Sequence, residues 1–140
     1  MTRRGFTLIE ALVGVTIAAI LASASALVLS SFATALRLTA SARTLAEAMR
    51  ETRGRAMAEG APLDVRFDAS TGMWTIAAID GTIRRSQPLP ASVRFVALPA
   101  RARIRFDSTG QAENGTVTLG ASAAATCRIV VNQRGRVRLG

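Results

Sequence analysis

Apolar positions along the chain follow three successive patterns. From Ala11 to Leu36 there are twenty-six residues without a charge, rich in Ala, Leu, Val and Ile. A helix needs only ~20 such residues to cross a bilayer, so the run is long enough to span. Small residues punctuate it (Gly14, Ala18, Ala19, Ala22, Ser23, Ala24) and permit close helix approach. The pattern then narrows to a stripe: Leu38, Ala42, Leu45, Met49, Thr52 and Ala56 recur at steps of four and three, which predicts an amphipathic helix. Arg43–Glu47 and Glu51–Arg55 supply i,i+4 pairs on its other face, and Gly60 followed by Pro62 is a stop signal. One helix from about Phe6 to Glu59 accounts for both patterns, roughly 80 Å of it at 1.5 Å per residue. Its first half is apolar enough to lie in a membrane, and its second half packs on whatever follows.

From Leu63 the period changes to two. Leu63, Val65 and Phe67 alternate with Asp64 and Arg66, and Ser70-Thr71-Gly72 turns the chain into Met73–Ile76. Asp80-Gly81 marks a further turn, and Pro88 and Pro90 break the chain before Val93–Val96. Further strands are expected at Arg103–Asp107, Thr116–Leu119, Thr126–Asn132 and Arg136–Leu139, with a loop over 120–125. The expected fold is α+β: a long N-terminal hydrophobic helix packed on a small C-terminal antiparallel β-sandwich. The expected divisions are a short basic segment (1–5), an apolar helix long enough to span a membrane (6–36), its amphipathic continuation (37–60) and a β-rich domain (61–140).

Charge sharpens this outline. All eighteen basic residues are Arg, against nine Asp plus Glu. Residues 61–140 hold eleven Arg against Asp64, Asp68, Asp80, Asp107 and Glu113, a net of +6. Such an excess favours anionic partners but equally describes a solvated face. Arg3 and Arg4 ahead of the apolar run predict a cytoplasmic N-terminus and an exported C-terminal domain. Cys127 is single, which excludes an intrachain disulfide, and its apolar surroundings read as a buried small residue. With no His, no metal-ligand cluster and no nucleophile elbow, enzyme chemistry, a metal site and a cofactor are not expected. Asp64 and Asp68, on a strand and its turn, read as surface charges.

Glu10 does not fit a plain anchor, because a carboxylate at the edge of an apolar helix is costly unless paired. The residues around it, Gly5-Phe6-Thr7-Leu8-Ile9-Glu10, resemble the cleavage and methylation motif of type IV pilins and type II secretion pseudopilins. The resemblance implies cleavage by a prepilin peptidase between Gly5 and Phe6, N-methylation of Phe6, and an assembly role for Glu10 in pairing with the new amino group of Phe6. It also implies that residues 1–5 are a leader and that 6–36 serve as a transmembrane and filament-core helix, although this apolar half lacks the bending Pro that pilins often carry there.

Downstream, Arg55-Ala56-Met57-Ala58, Val65-Arg66-Phe67 and Trp74 are similar to the GspH/FimT pseudopilin domain. So are Ile104–Gly110, Gly115–Leu119, Arg128–Val131 and Gly135–Arg138. The resemblance implies a minor subunit of a periplasmic filament rooted in the bacterial inner membrane. Its implied partners are other major and minor pseudopilins, an inner-membrane assembly platform, and secreted cargo or DNA. The primary expectation is a type II secretion pseudopilin at or near the filament tip. The alternative is a FimT-like pilin that takes up DNA, because such DNA binders end in GRxR and Gly135-Arg136-Val137-Arg138 fits that pattern. In a strand, Arg136 and Arg138 would share one face about 7 Å apart, matched to successive phosphates. Arg134 flanks them, and Arg101, Arg103 and Arg105 form a second alternating stripe.

Overall fold

The structure, a computed structural model, describes residues 7–121 and 125–140, with the backbone alone described for 24–29. One helix, α1 (Leu8–Glu59), precedes eight strands. These are β1 (Leu63–Asp68), β2 (Met73–Ala78), β3 (Ile83–Pro88), β4 (Arg94–Ala97), β5 (Arg103–Phe106), β6 (Gly115–Gly120), β7 (Thr126–Val131) and β8 (Val137–Leu139). The chain divides into two units, Met1–Ala33 and Thr34–Gly140.

In the first unit α1 begins at Thr7, whose Oγ1 accepts the Glu10 backbone N–H at 3.3 Å while its carbonyl accepts from Ala11. Thr7 is therefore the N-cap of a Thr-x-x-Glu capping sequence, and the Glu10 charge lies at the favourable end of the helix dipole. Leu8, Ile9, Leu12, Val15, Ile17, Ile20 and Leu21 are all exposed around the helix. A helix apolar on every side is built to be surrounded by lipid or by other helices. Among the described residues no helix is long and apolar enough to cross a membrane.

The second unit holds the core. All six positions of the expected stripe are buried: Leu38, Ala42, Leu45, Met49, Thr52 and Ala56. Thr52 is tolerated because its hydroxyl donates to the Ala48 carbonyl at 2.7 Å. The helix ends in a Schellman-type cap, with Gly60 at φ 63° and the Ala61 N–H bonded to the Ala56 carbonyl. Glu51 pairs with Arg55 at 2.8 Å. The expected Arg43–Glu47 pair does not close; its basic residue precedes its acidic one, the weaker orientation for such pairs.

Two antiparallel four-stranded sheets complete the unit, ordered β3-β2-β1-β5 and β4-β6-β7-β8. Val65, Trp74, Ile76, Ile104 and Phe106 from the first sheet join Phe95, Val117, Leu119, Ile129 and Val131 from the second, together with the helix stripe, in one hydrophobic core. Phe67 and Phe95 meet edge-to-face across the sheets, 5.7 Å between centroids. Strand β3 was not expected from the sequence. Five of its six residues are exposed and the sixth half-buried, so it lies at an edge with no buried face to impose alternation. The last strand starts at Val137, one residue later than expected, because Arg136 closes the turn.

That turn fixes the C-terminal hairpin. The Gly135 N–H bonds the Asn132 carbonyl at 2.8 Å, the Arg136 N–H bonds Asn132 Oδ1 at 2.9 Å, and Gly135 takes φ 70°. Gly135 is also buried against Gly110 and the helix: a Cβ there would meet the Gly110 carbonyl oxygen and lie 2.7 Å from Arg53 Nε. Arg53 Nε donates to that same Gly110 carbonyl at 2.8 Å, and Arg50 Nη2 donates to the Val137 carbonyl at 3.2 Å. Arg50 thus ties the hairpin to the helix through its backbone, while Arg53 holds the Gly110 carbonyl against which Gly135 packs.

Gly135→Ala is expected to destabilise the fold by about 2–4 kcal/mol, combining left-handed strain with overpacking. Gly54→Ala, in the helix with nothing within 4 Å of the added Cβ, is expected to stabilise it by about 0.5–1 kcal/mol. Urea unfolding of the chain in mild detergent measures both, and equal effects at the two glycines would contradict the packing described.

Candidate functional site

Three groups of residues stood out in the sequence: the N-terminal motif, the arginines of β5, and the arginines of the C-terminal hairpin. Gly5 and Phe6 lie outside the described residues. Glu10 is exposed in the first turn of α1, amid exposed apolar side chains. Its carboxylate therefore sits on the surface that other helices or lipid would cover, where a partner cation would be most effective.

The β5 stripe has a different character from that expected. Asp64 on β1 stands opposite Arg105, and Arg66 stands opposite Arg103. All four therefore project from the face of the sheet that turns away from the core. Asp64 is not a surface charge: its side chain is fully buried beneath three guanidinium groups. Arg105 makes a two-point contact, Nε to Oδ1 at 2.7 Å and Nη2 to Oδ2 at 3.0 Å. Arg103 Nη1 approaches Oδ2 at 3.4 Å and Arg66 Nη2 at 3.6 Å. Burial works to raise the Asp64 pKa, but the Arg105 hydrogen bonds and the charges of Arg105, Arg103 and Arg66 outweigh it and hold the carboxyl below its ordinary value. The hydrogen bonds to Asp64 correspondingly raise Arg105. Glu113 takes up Arg101 at 3.6 Å and Arg103 at 3.8 Å. Arg101, Arg103 and Arg105 are thus committed to carboxylates within the fold.

The same holds across the first sheet. Arg84 pairs with Glu59 at 3.5 Å, and Arg85 pairs with Glu51 at 3.5 Å while lying 5.2 Å over the Trp74 ring. Among the described residues, five arginines of the β-rich region have no carboxylate partner: Arg94, Arg128, Arg134, Arg136 and Arg138. All five belong to the second sheet or its hairpin. Ile129, Val131 and Val137 point into the core, so Arg128, Arg136 and Arg138 point out. Arg138 stands opposite Val130, and Arg128 is hydrogen-bonded through its backbone to Gly140. That places Arg128 diagonal to Arg138 at about 7–8 Å, with Arg136 at the end of the turn that leads into β8. The remaining outward positions on β6 and β7 are Thr116, Thr118, Thr126 and Val130, and no acid shares the face. Arg134, with Asn114, Asn132 and Gln133, lines a shallow recess of about 310 Å³ beside it. Arg128 and Arg94 were not singled out from sequence. The alternation of Arg128 with Ile129 was a usable signal, whereas the place of β4 in the same sheet was not.

This face can attract an anion and can do little other chemistry. No group of three or more His, Cys, Asp or Glu that could hold a metal occurs among the described residues. Cys127 is half-buried beside the Gly140 carbonyl, 4.0 Å from Sγ, rather than enclosed in the core.

Comparison with known proteins adds an independent line. Residues 41–135 match the family described as type II transport protein GspH, and residues 1–26 match the prokaryotic N-terminal methylation motif. The minor pseudopilin EpsH from the type II secretion system of Vibrio cholerae is similar in structure, with a TM-score of 0.62 at 17% identity over 74% of this chain and 96% of that one. The type IV minor pilin FimU of Pseudomonas aeruginosa superposes with a TM-score of 0.62 at 15% identity, covering 74% of this chain and 87% of that one. No curated protein sequence matches the chain.

Asp64→Asn is expected to cost about 3 kcal/mol, because it leaves three guanidiniums clustered without their buried counter-charge. The sign of the pH dependence follows from the depressed carboxyl pKa. The contribution of Asp64 is complete above the unfolded-state value of about 3.9 and is lost as pH falls through the lower folded-state value. Urea titrations from pH 7 to pH 2 should therefore show the gap between wild type and Asp64→Asn closing only below about pH 4.

Proposed function

The chain belongs to the GspH family of type II transport proteins, structural subunits of type II secretion pseudopili or type IV pili rather than enzymes, and from that premise we propose that it is a minor pseudopilin of a type II secretion system, assembling at or near the pseudopilus tip to support export of folded proteins. The observation that carries this reading is the division of labour along α1. Its first turns are apolar on all sides and exposed, carrying a carboxylate at Glu10, whereas its second half is buried on one stripe by a domain matching this family. Such a helix anchors the subunit in the inner membrane before assembly, with the domain in the periplasm, and packs among neighbouring helices afterwards. A prepilin peptidase cuts after Gly5, Phe6 is N-methylated, and Glu10 pairs with a Phe6 amino group to set subunit register. The other pseudopilins and the inner-membrane platform are its assembly partners, and the exposed sheet faces are where tip neighbours or cargo meet it.

A second reading is favoured by one observation, the acid-free arginine face on β7 and β8. In it the subunit is a FimT-like minor pilin, and Arg128, Arg136 and Arg138 hold the phosphates of DNA during natural transformation. Binding would be insensitive to sequence, since phosphate contacts carry no base information, and strongly dependent on salt.

Glu10→Val is expected to leave the protein processed and membrane-bound but to abolish its incorporation into filaments, read by cross-linking to neighbouring subunits. Clean deletion of the gene should block secretion of the system's substrates; unimpaired secretion would refute the first reading. For the second, replacing Arg128, Arg136 and Arg138 together with Gln should weaken DNA retention and lower the salt slope by about 1 per arginine. Arg101→Gln, beside Glu113 and outside the acid-free face, should change neither. Equal retention by the triple variant and wild type in a gel shift would remove the DNA reading.

A further inference from the structure

We propose that a groove between α1 and the Pro88–Pro90 segment binds the headgroup of an anionic phospholipid, holding the domain at the membrane surface before the subunit is assembled. The proposal rests on reading the uncharged run as a membrane span. Its groove lies wholly within the Thr34–Gly140 unit and has a volume of about 240 Å³, space for about eight waters. One wall is a single helical face, Arg37, Ala40, Ser41 and Thr44, at the spacing i, i+3, i+4 and i+7. The other runs from Gln87 to Pro90, and the buried Trp74 also lines the groove.

Three features point to this occupant. Arg37 is the first charged residue after the twenty-six uncharged ones, which is where a spanning helix emerges among headgroups. Arg37 is exposed and has no carboxylate partner among the described residues, so its guanidinium is available for a phosphodiester. No acid lines the groove; the Thr44 hydroxyl and Gln87 amide offer further donors, while Ala40, Leu89 and the two prolines suit the glycerol backbone. A zwitterionic headgroup brings its own ammonium to compete for the phosphate, whereas an anionic one presents a net charge to Arg37. Arg85 does not compete for the ligand, being held by Glu51, Gln87 and the Trp74 ring.

Trp74 is the chain's one Trp, so its emission reports on the groove. The full chain in neutral detergent is titrated with dihexanoyl phosphatidylglycerol, dihexanoyl phosphatidylcholine and inorganic phosphate. The expected result is a saturable emission change with phosphatidylglycerol, weakened about tenfold by Arg37→Gln, as for loss of one charge-assisted contact. Ala40→Leu, which fills the groove, should abolish it. Arg43→Gln, an exposed helix arginine outside the groove, should leave it intact. An equal response to phosphatidylcholine or to phosphate, or wild-type binding by Arg37→Gln, would overturn the proposal. Carbonate extraction of membranes separates the two layers of the reading. Release of the chain would refute the membrane span and the lipid site with it; retention together with absent phosphatidylglycerol binding would refute the lipid site alone.

Discussion

The Thr34–Gly140 unit is organised by the need to cover one stripe of α1. Leu38, Leu45 and Met49 each contribute roughly 1.5–3 kcal/mol when fully buried, but only if something apolar lies across them. The inner faces of both sheets supply that cover, with Trp74, Ile104 and Phe106 from one and Leu119, Ile129 and Val131 from the other. Covering the stripe brings backbone against helix side chains at its C-terminal end, where Arg53 and Met57 leave no room for a side chain at Gly110 and Arg53 leaves none at Gly135. The hairpin bearing Arg134, Arg136 and Arg138 is therefore fixed to the helix by the packing of Gly135 on Gly110 and Arg53 and by the Arg50 hydrogen bond to Val137. Among the described residues of the first unit, the large apolar side chains of the same helix are exposed.

Elements governed by periodicity could be read directly from the chain. The helix stripe, its Gly60 cap and most strands follow from the spacing of apolar residues and glycines, because each has a buried face or a required backbone conformation. Strand β3 escaped because it lies at an edge, buries no face and carries Arg84, Arg85, Ser86 and Gln87 in succession. Asp64 was misread for a related reason. Alternation correctly put it on the face opposite Val65, but that face is covered by arginines from β5, about forty residues along the chain. Burial by a distant partner leaves no mark in the local pattern. The N-terminal motif was legible as a string of residues, and Thr7 adds a physical component to it as the N-cap from which Glu10 is displayed.

Two arginine stripes looked equivalent in the sequence, and the fold separates them. Arg101, Arg103 and Arg105 alternate with Ala102, Ile104 and Phe106 much as Arg136 and Arg138 alternate with Val137 and Leu139. The first set is paired with Asp64 and Glu113 within the domain. The second faces solvent on a sheet without acids. Net charge alone could not make that distinction, because it counts every arginine alike while the fields at the surface differ.

The GRxR pattern itself contains two kinds of information. Gly135 is required by its positive φ and by the Gly110 carbonyl and Arg53 side chain pressed against it, whatever the protein binds. Its presence is a statement about the fold, so it lends no weight to DNA binding over secretion. Only Arg136 and Arg138, free of any demand from the core, can carry a functional meaning, and Arg128 on the adjacent strand widens the same charged face. The weight of the motif therefore rests on surface charge that folding did not require. Exposed arginines kept clear of acids are what a phosphate backbone would use, and an acidic subunit at the filament tip would use them equally well.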